Sequence, residues 1–173
     1  LRRVLGAFTA IVADDDVRPS FYWSLTGAVY IDPRHLWLTP QEEATIGSEP
    51  DYRSGFGAEL GFVPFSGYLD GDAVAFPGFG PGRDLASRVG AVAALLFHEG
   101  AHANDFLPPG QVARLDDGEA FDDVTTRLEG ERLSRQLAAR HPLRSAVWQG
   151  LAQVLYFGEG ATDEQKALTA EEV

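Results

Sequence analysis

The clearest run of regularly spaced hydrophobic positions lies in the middle of the chain, between residues 84 and 106. Its apolar residues recur at intervals of three and four: Leu85, Val89, Val92, Leu95 and Leu96. This spacing gathers apolar side chains on one face of a helix. Asp84 precedes the run as a helix N-cap, and Pro108 follows it as a stop signal. The pattern predicts a buried helix over 84–106.

Further helices are predicted on both sides of this one. A second long helix is expected from residue 117 or 118 to residue 140, where His141 and Pro142 end it. A third is expected over 143–156, followed by a polar tail with a short helix between 163 and 170. The apolar residues of 1–13, which end in a row of aspartates, predict an N-terminal helix. A signal peptide is the less favoured interpretation of the same residues.

Aromatic and β-branched residues mark the predicted strands of the N-terminal part. Residues 21–32 combine Phe, Tyr and Trp with the run Ala-Val-Tyr-Ile, and a Pro follows them. A second short extended piece is expected over 35–38. Thr39 and Pro40 then provide the cap and the first residue of a helix.

The segment 47–82 has a different character from the rest of the chain. It is crowded with Gly, Pro and aromatic residues and has no strong periodicity. A long segment of this kind is usually functional or disordered, and its aromatic content argues against disorder. We expect irregular loops and short strands that pack over the core and wall a cleft.

The composition is that of a globular protein with a buried core. The chain has 173 residues, of which 45% are hydrophobic and 11% aromatic. We therefore expect one domain over 1–173. Its sheet and loops are expected in 1–83, its main helical part in 84–157, and a tail in 158–173.

The charge and the absent residue types exclude several functions. The formal net charge is −12 at pH 7, which argues against nucleic acid and anionic membranes, because both attract clusters of Lys and Arg. No apolar run is long enough to cross a bilayer. The chain has no cysteine, so any zinc must bind to histidine and carboxylate side chains.

The strongest chemical motif lies inside the predicted helix 84–106. His98-Glu99-Gly100-Ala101-His102 has the form HExxH. Residues four apart lie on one face of a helix, so the two imidazoles can bind one metal ion. The glutamate then stands beside the ion, where it can take a proton from water. The pattern predicts a zinc site with a general base.

The segment resembles the zincin metallopeptidases. The metzincin branch places a third histidine ten residues after the first, but this chain has Pro108 there. The gluzincin branch is more similar: its third ligand is a glutamate on a following helix, and an aspartate four residues later hydrogen-bonds a ligand histidine. Glu119 and Asp123 match these two positions. The resemblance thus implies His98, His102 and Glu119 as zinc ligands.

Antiparallel packing of the two predicted helices agrees with this choice. If they pack across the short Pro-rich loop, Glu119 lies opposite His102 and Asp123 lies opposite His98, which is the usual pairing of a carboxylate with a ligand histidine. Glu129 and Glu131 are alternative third ligands. Glu131 lies nearer the apolar stripe of its helix than Glu119 does.

The resemblance implies a minimal zincin-like α+β core with a long motif helix, a second antiparallel ligand helix and a small mixed sheet. It also implies hydrolysis of amide bonds in a peptide or protein, with Glu99 as general base, and favours export or the cell envelope. The alternative is a non-catalytic zinc-binding or interaction module that keeps this scaffold. The oligomeric state is open.

Two further elements of such a site can be assigned only as expectations. Zincins commonly bind substrate as a strand added beside an edge strand, and Ala28–Ile31 is the expected edge strand. A side chain that stabilises the oxyanion is also expected. Several residues are open for that role: Tyr22, Tyr30, His141 and Tyr156. Asp105, three residues after the second histidine, could support the site or simply be a polar residue near the helix end.

Overall fold

The structure is a computed structural model that describes residues 2–62, 68–70, 73–75, 83–116, 118–169 and 172. Helices and strands both occur, which confirms the predicted α+β class. The chain divides into two compact units, namely Leu1–Glu49 with Gly67–Leu137 and Pro50–Ser66 with Ala138–Val173. The expectation of one domain over 1–173 stays a prediction.

A small mixed sheet of three strands lies in the first unit, as predicted. Its strands are β1 (Ala10–Ala13), β2 (Phe21–Trp23) and β3 (Ala28–Ile31), in the order β1-β3-β2. β3 pairs parallel with β1 and antiparallel with β2. The expectation that Ala28–Ile31 is an edge strand is therefore wrong. Its apolar residues, with Val29 completely buried, belong to the central strand, where both neighbours cover the backbone.

The helix predicted over 1–13 is also wrong. Helix α1 covers only Arg2–Leu5, and the chain then turns and enters β1. The β-branched residues Ile11 and Val12 favour a strand, and pairing with β3 supplies partners for their backbone groups. Periodicity cannot distinguish a helix from a strand in an apolar segment as short as this one.

The predicted motif helix is confirmed. Helix α3 covers Leu85–Phe106, and the Asp84 side chain accepts a hydrogen bond from the backbone nitrogen of Ser87 at 2.8 Å. Asp84 is thus the N-cap, as expected from the sequence. α3 packs against α1, β2 and the 3-10 turn Pro33–His35. The sheet and α1 therefore position the motif.

The motif helix approaches α1 most closely at Gly100. A Cβ atom on Gly100 would overlap the side chain of Val4 and would lie 3.7 Å from the ring of Phe8. One turn later, Asn104 Nδ2 donates hydrogen bonds to the backbone oxygens of Val4 at 3.1 Å and of Gly100 at 2.7 Å. The small residue inside the motif therefore allows α1 to pack directly on α3.

The second long helix, predicted from residue 117 or 118 to residue 140, is wrong. The chain instead forms α4 (Phe121–Arg127), a 3-10 turn (Glu129–Glu131) and α5 (Leu133–Arg140). Residue 117 lies outside the described residues. Glu119 precedes α4 instead of lying in its first turn. The predicted antiparallel pairing with the motif helix therefore has no continuous helix to support it.

Contacts with the end of α3 stabilise the interruption before α5. Asp105 accepts hydrogen bonds from the backbone nitrogen of Ser134 at 2.8 Å and from its hydroxyl at 2.5 Å, close to the start of α5. Arg132 lies over the ring of Phe106, 3.9 Å from the ring centre. Its Nη2 donates to the backbone oxygen of Thr125 at 3.3 Å. These long-range contacts hold Arg132 outside a helix, which the apolar spacing alone could not reveal.

The segment 35–38 does not form the predicted extended piece. Pro33–His35 is a 3-10 turn that is capped by the side chain of Asp32, which accepts a hydrogen bond from the backbone nitrogen of Arg34 at 2.9 Å. Thr39 then caps helix α2 (Pro40–Glu43) with a reciprocal capping box, as predicted. A local side-chain cap therefore replaces the strand pairing that the apolar residues suggested.

Only part of the segment 47–82 lies within the described residues. Strands β4 (Tyr68–Asp70) and β5 (Ala73–Ala75) pair antiparallel there, in line with the predicted short strands. The predicted cleft wall depends on residues 63–67 and 76–82, which lie outside the described residues.

The second unit has its own apolar core around helix α6 (Ala146–Phe157). Buried side chains of α6 pack against a loop residue of the 50–66 segment: Leu151, Val154 and Leu60. Helix α7 (Asp163–Lys166) follows, so the predicted helices over 143–156 and between 163 and 170 are both confirmed. None of the helices in the described ranges is long and apolar enough to cross a membrane.

Candidate metal centre

The two histidines of the motif lie side by side on the outer side of α3. His98 and His102 are one helical turn apart, and both residues are exposed. Their ring centroids are 5.1 Å apart, and the ring planes make an angle of 77°. The helix thus presents two neighbouring imidazoles to solvent, as the spacing of the motif predicts.

This arrangement fits two imidazoles that share one zinc ion. A zinc–nitrogen bond is about 2 Å long and zinc prefers tetrahedral angles, so two rings on one ion have centroids about 5 Å apart. Among the residues that the structure describes, neither imidazole makes a hydrogen bond or an ion pair. No described side chain therefore competes with a metal ion for the ring nitrogens.

Glu99, the carboxylate of the motif, lies on a different side of the helix from the histidines. It follows His98 directly and projects about 100° further around the helix axis. It is only 5% exposed, and Gly100 and Ala103 are buried with it. Its carboxylate makes no hydrogen bond or ion pair with a described residue. A carboxylate in this state keeps its oxygen atoms available to accept a proton.

Glu119, the expected third ligand, forms an ion pair with Arg127 in this structure. Its two carboxylate oxygens accept hydrogen bonds from Arg127 Nη2 at 2.9 and 3.1 Å. Within the described ranges, no three His, Asp or Glu side chains form a group that could hold a metal ion. The structure therefore brings the two histidines together, but it does not bring Glu119 to them.

The alternative third ligands also have other partners. Glu129 forms an ion pair with Arg135. The Glu131 carboxylate accepts a hydrogen bond from Gln111 Nε2 at 2.8 Å. Both glutamates belong to the 3-10 turn that interrupts the predicted second helix. Neither one joins the histidines in a group of three within the described part of the chain.

The two aspartates expected near the site have different surroundings. Asp123 is exposed in the first turn of α4, where its negative charge is favoured by the helix dipole. Asp105 binds Ser134 at the start of α5. Asp105 thus has a structural role that the sequence could not identify. Among the described residues, Asp123 forms no hydrogen bond with a histidine.

Three large apolar side chains of α3 are exposed, although the hydrophobic pattern predicts that this helix is buried. Leu85 is 68% exposed, Val89 59% and Phe97 50%. Their spacings of four, eight and twelve positions place them on one inclined ridge of α3, of which only Phe97 is next to His98 in sequence. The sequence pattern identified the helix correctly but not the side that faces the core. The buried side instead includes Arg88, Ala91 and Glu99.

The residues considered for oxyanion stabilisation occupy three kinds of environment. The Tyr22 hydroxyl is buried and has no hydrogen-bond partner, and burial raises its pKa to about 12 in spite of the nearby Arg132. Tyr30 stacks on Phe21 within the sheet, with ring centroids 4.7 Å apart. His141 and Tyr156 are exposed. Tyr22 is therefore the one of the four with an unused buried donor among the described residues.

One buried charged residue was missed by the sequence reasoning. Arg88 is 6% exposed and lies on the buried side of α3. It falls eleven positions before Glu99, which is close to three whole turns, so both project from the same side of the helix. The sequence does offer one indication, because an arginine within an otherwise apolar helix indicates a buried charge that requires a hydrogen-bond partner.

Comparison with known proteins adds no relative. No protein-family model, no curated protein and no solved structure matches the chain.

Proposed function

We propose that this chain is a zinc-dependent metallopeptidase in which His98 and His102 bind the metal ion and Glu99 acts as general base. The observation that carries the proposal is the pair of exposed imidazoles, whose centroids lie 5.1 Å apart. Neutral imidazole is a good ligand for zinc, and four-residue spacing on a helix directs two of them to one ion. A buried carboxylate immediately follows the first histidine.

The reaction follows from these groups. Zinc bound by the imidazoles would polarise the amide carbonyl and favour ionisation of water. Glu99 takes a proton from the attacking water, and the water oxygen bonds to the carbonyl carbon. Glu99 then gives that proton to the leaving nitrogen as the carbon–nitrogen bond breaks. The products are a carboxylic acid and an amine, and the glutamate is regenerated.

Glu119 remains the proposed third ligand, supported by the weakness of its present interaction. Its side chain is 23% exposed and that of its partner Arg127 is 51% exposed. An ion pair this accessible contributes at most about 1 kcal/mol, whereas structural zinc sites contribute about 10 kcal/mol or more. A bound metal ion can therefore displace Arg127. The proposed role of Asp123 is to hydrogen-bond one of the ligand histidines.

The proposed substrate is a peptide or protein segment in extended conformation. β2 is an edge strand of the three-stranded sheet in the described part of the chain, and it contacts α3. An extended peptide can add to such an edge through backbone hydrogen bonds. Phe97, which is exposed and next to His98, would then favour substrates with large apolar side chains.

One observation favours the alternative of a non-catalytic zinc-binding module. The described residues provide two histidines but no third side chain beside them. A weak two-histidine site can bind metal without supporting hydrolysis. The intact general base, Glu99, argues for catalysis, because a site that only binds metal needs no proton acceptor.

Metal analysis of the purified chain tests the proposal most directly. We expect one zinc ion per chain, and we expect His102→Ala to lose it. His141→Ala is the matched control, because this histidine is exposed and lies outside the motif. It should keep the metal. If the native protein binds no zinc even when zinc is added, the proposal is wrong.

A hydrolysis assay then separates the two functions. We expect the zinc-loaded protein to cleave an unfolded protein substrate, and we expect a chelator to abolish cleavage. Retained zinc with no hydrolysis of peptide, protein or cell-wall amide substrates would support the non-catalytic module instead.

A further inference from the structure

Arg88 is the least expected charged group in the described part of the molecule. It is 6% exposed, and its Nε and Nη1 atoms are buried without a hydrogen-bond partner. A guanidinium group stays protonated at any physiological pH, so it cannot avoid this cost by losing its charge. A buried charge without a counter-ion is strongly destabilising. The site is therefore incomplete as the described residues leave it.

Other cationic groups lie close to Arg88. The Arg83 guanidinium stacks on Trp37, 3.3 Å from a ring centroid, and its Nη1 donates to the backbone oxygen of Arg34 at 2.9 Å. Burial lowers the pKa of His35, and repulsion by the nearby arginines, Arg88 among them, adds to this shift, while Asp32 opposes it. Arg83 and Arg88 also repel each other.

Three acids lie near these cations, and among the described residues none of them hydrogen-bonds Arg88. Asp32 is buried and accepts two hydrogen bonds from Arg34 Nε, at 2.9 and 3.1 Å. Asp84 caps α3 through Ser87 and interacts with Arg88 only through space. Glu43 attracts Arg83 in the same indirect way. Within the described residues, Arg88 therefore has a carboxylate nearby but no hydrogen bond to a carboxylate oxygen.

We infer that Arg88 and Arg83 form a binding site for a small oxyanion, either a phosphate group or a carboxylate. An oxyanion beside Nε and Nη2 of Arg88, whose N–H bonds point to the same side of the guanidinium, would give the buried Nε an acceptor through paired hydrogen bonds.

A pocket of about 270 Å³ lies near Arg83, because its lining includes Trp37, on which the Arg83 guanidinium stacks. Neither Arg83 nor Arg88 lines this pocket, whereas Glu43 and Glu49 do. The inferred ligand is therefore a small oxyanion without an extended body. The inference does not depend on the proposed zinc site, which lies further along the helix.

Binding of inorganic phosphate to the full chain tests the inference. Calorimetric titration should show saturable binding with one phosphate per chain. We expect Arg88→Met to weaken this binding by about tenfold or more, because it removes charge-assisted hydrogen bonds. Arg114→Met is the matched control, since Arg114 is exposed, and it should bind phosphate like the native protein.

Thermal stability provides a second test, which is independent of the calorimetric titration. A methionine at position 88 removes an unpaired buried charge, so without anion the Arg88→Met variant should be at least as stable as the native protein. Added phosphate should raise the melting temperature of the native protein and not that of the variant. Equal responses of the two proteins to phosphate would overturn the inference.

Two further experiments identify the kind of anion and test whether it binds at the metal site instead of at Arg88. Titration with acetate beside phosphate distinguishes a carboxylate site from a phosphate site, and saturable binding of either supports the inference. Binding of neither one contradicts it. The His102→Ala variant should bind the anion as the native protein does. If His102→Ala abolishes binding and Arg88→Met keeps it, the anion binds at the metal and the inference is wrong.

Discussion

The two ends of α3 leave polar groups without protein partners in opposite ways. Near the C-terminal end, His98 and His102 are exposed, and water can satisfy their nitrogen atoms. Near the N-terminal end, about 15 Å away along the helix axis, Arg88 is buried and two of its nitrogens have no partner among the described residues. The exposed histidines therefore lose little free energy by lacking a protein partner, whereas the buried Arg88 loses much more.

This difference separates two kinds of binding site. An exposed pair of imidazoles does not burden the fold when no ligand is bound, so such a pair serves function without being needed for folding. A buried guanidinium destabilises the fold until an anion pairs with it, which couples ligand binding to stability. Substitutions at the histidine end should therefore mainly affect zinc binding and hydrolysis, and substitutions at the Arg88 end should mainly affect the free energy of unfolding.

The largest expected effect is on catalysis at the histidine end. Glu99→Gln keeps the size of the side chain but removes the proton acceptor, so we expect amide hydrolysis to fall by about 100- to 10,000-fold. Zinc content should not change, because Glu99 is not a proposed ligand. The measurement is kcat with zinc content on the same samples. Unchanged kcat in a zinc-loaded Glu99→Gln variant would remove Glu99 from the mechanism.

The second effect concerns the third ligand. If Glu119 binds zinc, Glu119→Ala should weaken zinc affinity by more than about 100-fold, since even residues that only support a ligand contribute about 10- to 100-fold. Arg127→Ala is the matched variant, because it breaks the same ion pair but keeps the carboxylate. It should bind zinc at least as tightly as the native chain. Competition with a chromogenic chelator measures both affinities.

Equal and small changes in the two variants would show that Glu119 forms only an exposed ion pair. The same competition assay on Glu129→Ala and Glu131→Ala would then test the remaining acids. Both lie in the 3-10 turn between α4 and α5.

A smaller effect is expected where the histidine end is held against α1. Gly100→Leu places atoms where the Val4 side chain lies, so we expect a loss of about 2–3 kcal/mol in the free energy of unfolding. Gly110→Ala is the control, because a Cβ atom there meets no other atom within 4 Å. Denaturant unfolding of both variants measures the difference. A Gly100→Leu variant as stable as the native protein would show that α1 does not pack on the motif as described.

The local features of the fold could be predicted from sequence, whereas its long-range pairings could not. Asp84 and Thr39 cap helices through hydrogen bonds with residues only three positions further along the chain, so a local sequence pattern predicts them. The strand Ala10–Ala13 depends on pairing with β3, which lies 18 residues further along the chain. The interruption at Arg132 depends on contacts of α3 with α5, and no local pattern encodes these contacts.

The candidate site divides in the same manner. The pairing of His98 with His102 follows from helix geometry, which the motif alone fixes. The third ligand, Glu119, was implied by the resemblance to gluzincins, and antiparallel packing of two predicted helices agreed with it. That agreement is lost because the second helix is broken. Arg88 was missed because its role depends on which side of α3 faces the sheet, and the apolar ridge of that helix points outward instead.

The smallest expected effect is a pH dependence of stability at the Arg88 end. Burial, followed by repulsion from the nearby arginines, lowers the pKa of His35 below its ordinary value of 6.5. As the pH falls through about 6.5, the unfolded chain therefore takes up a proton at this histidine and the folded chain does not. The free energy of unfolding should decrease in this range, by at most about 1.4 kcal/mol per pH unit for a single proton. Asp32, whose low pKa arises from Arg34 despite opposing burial, would contribute only at more acidic pH.

Urea unfolding between pH 7 and about 5 should show this slope in the native protein and lose it in His35→Gln. The exposed His141→Gln variant should keep the slope. Persistence of the full slope in His35→Gln would mean that another group titrates, and the cationic cluster around Arg88 would then not determine the acid sensitivity of this end of α3.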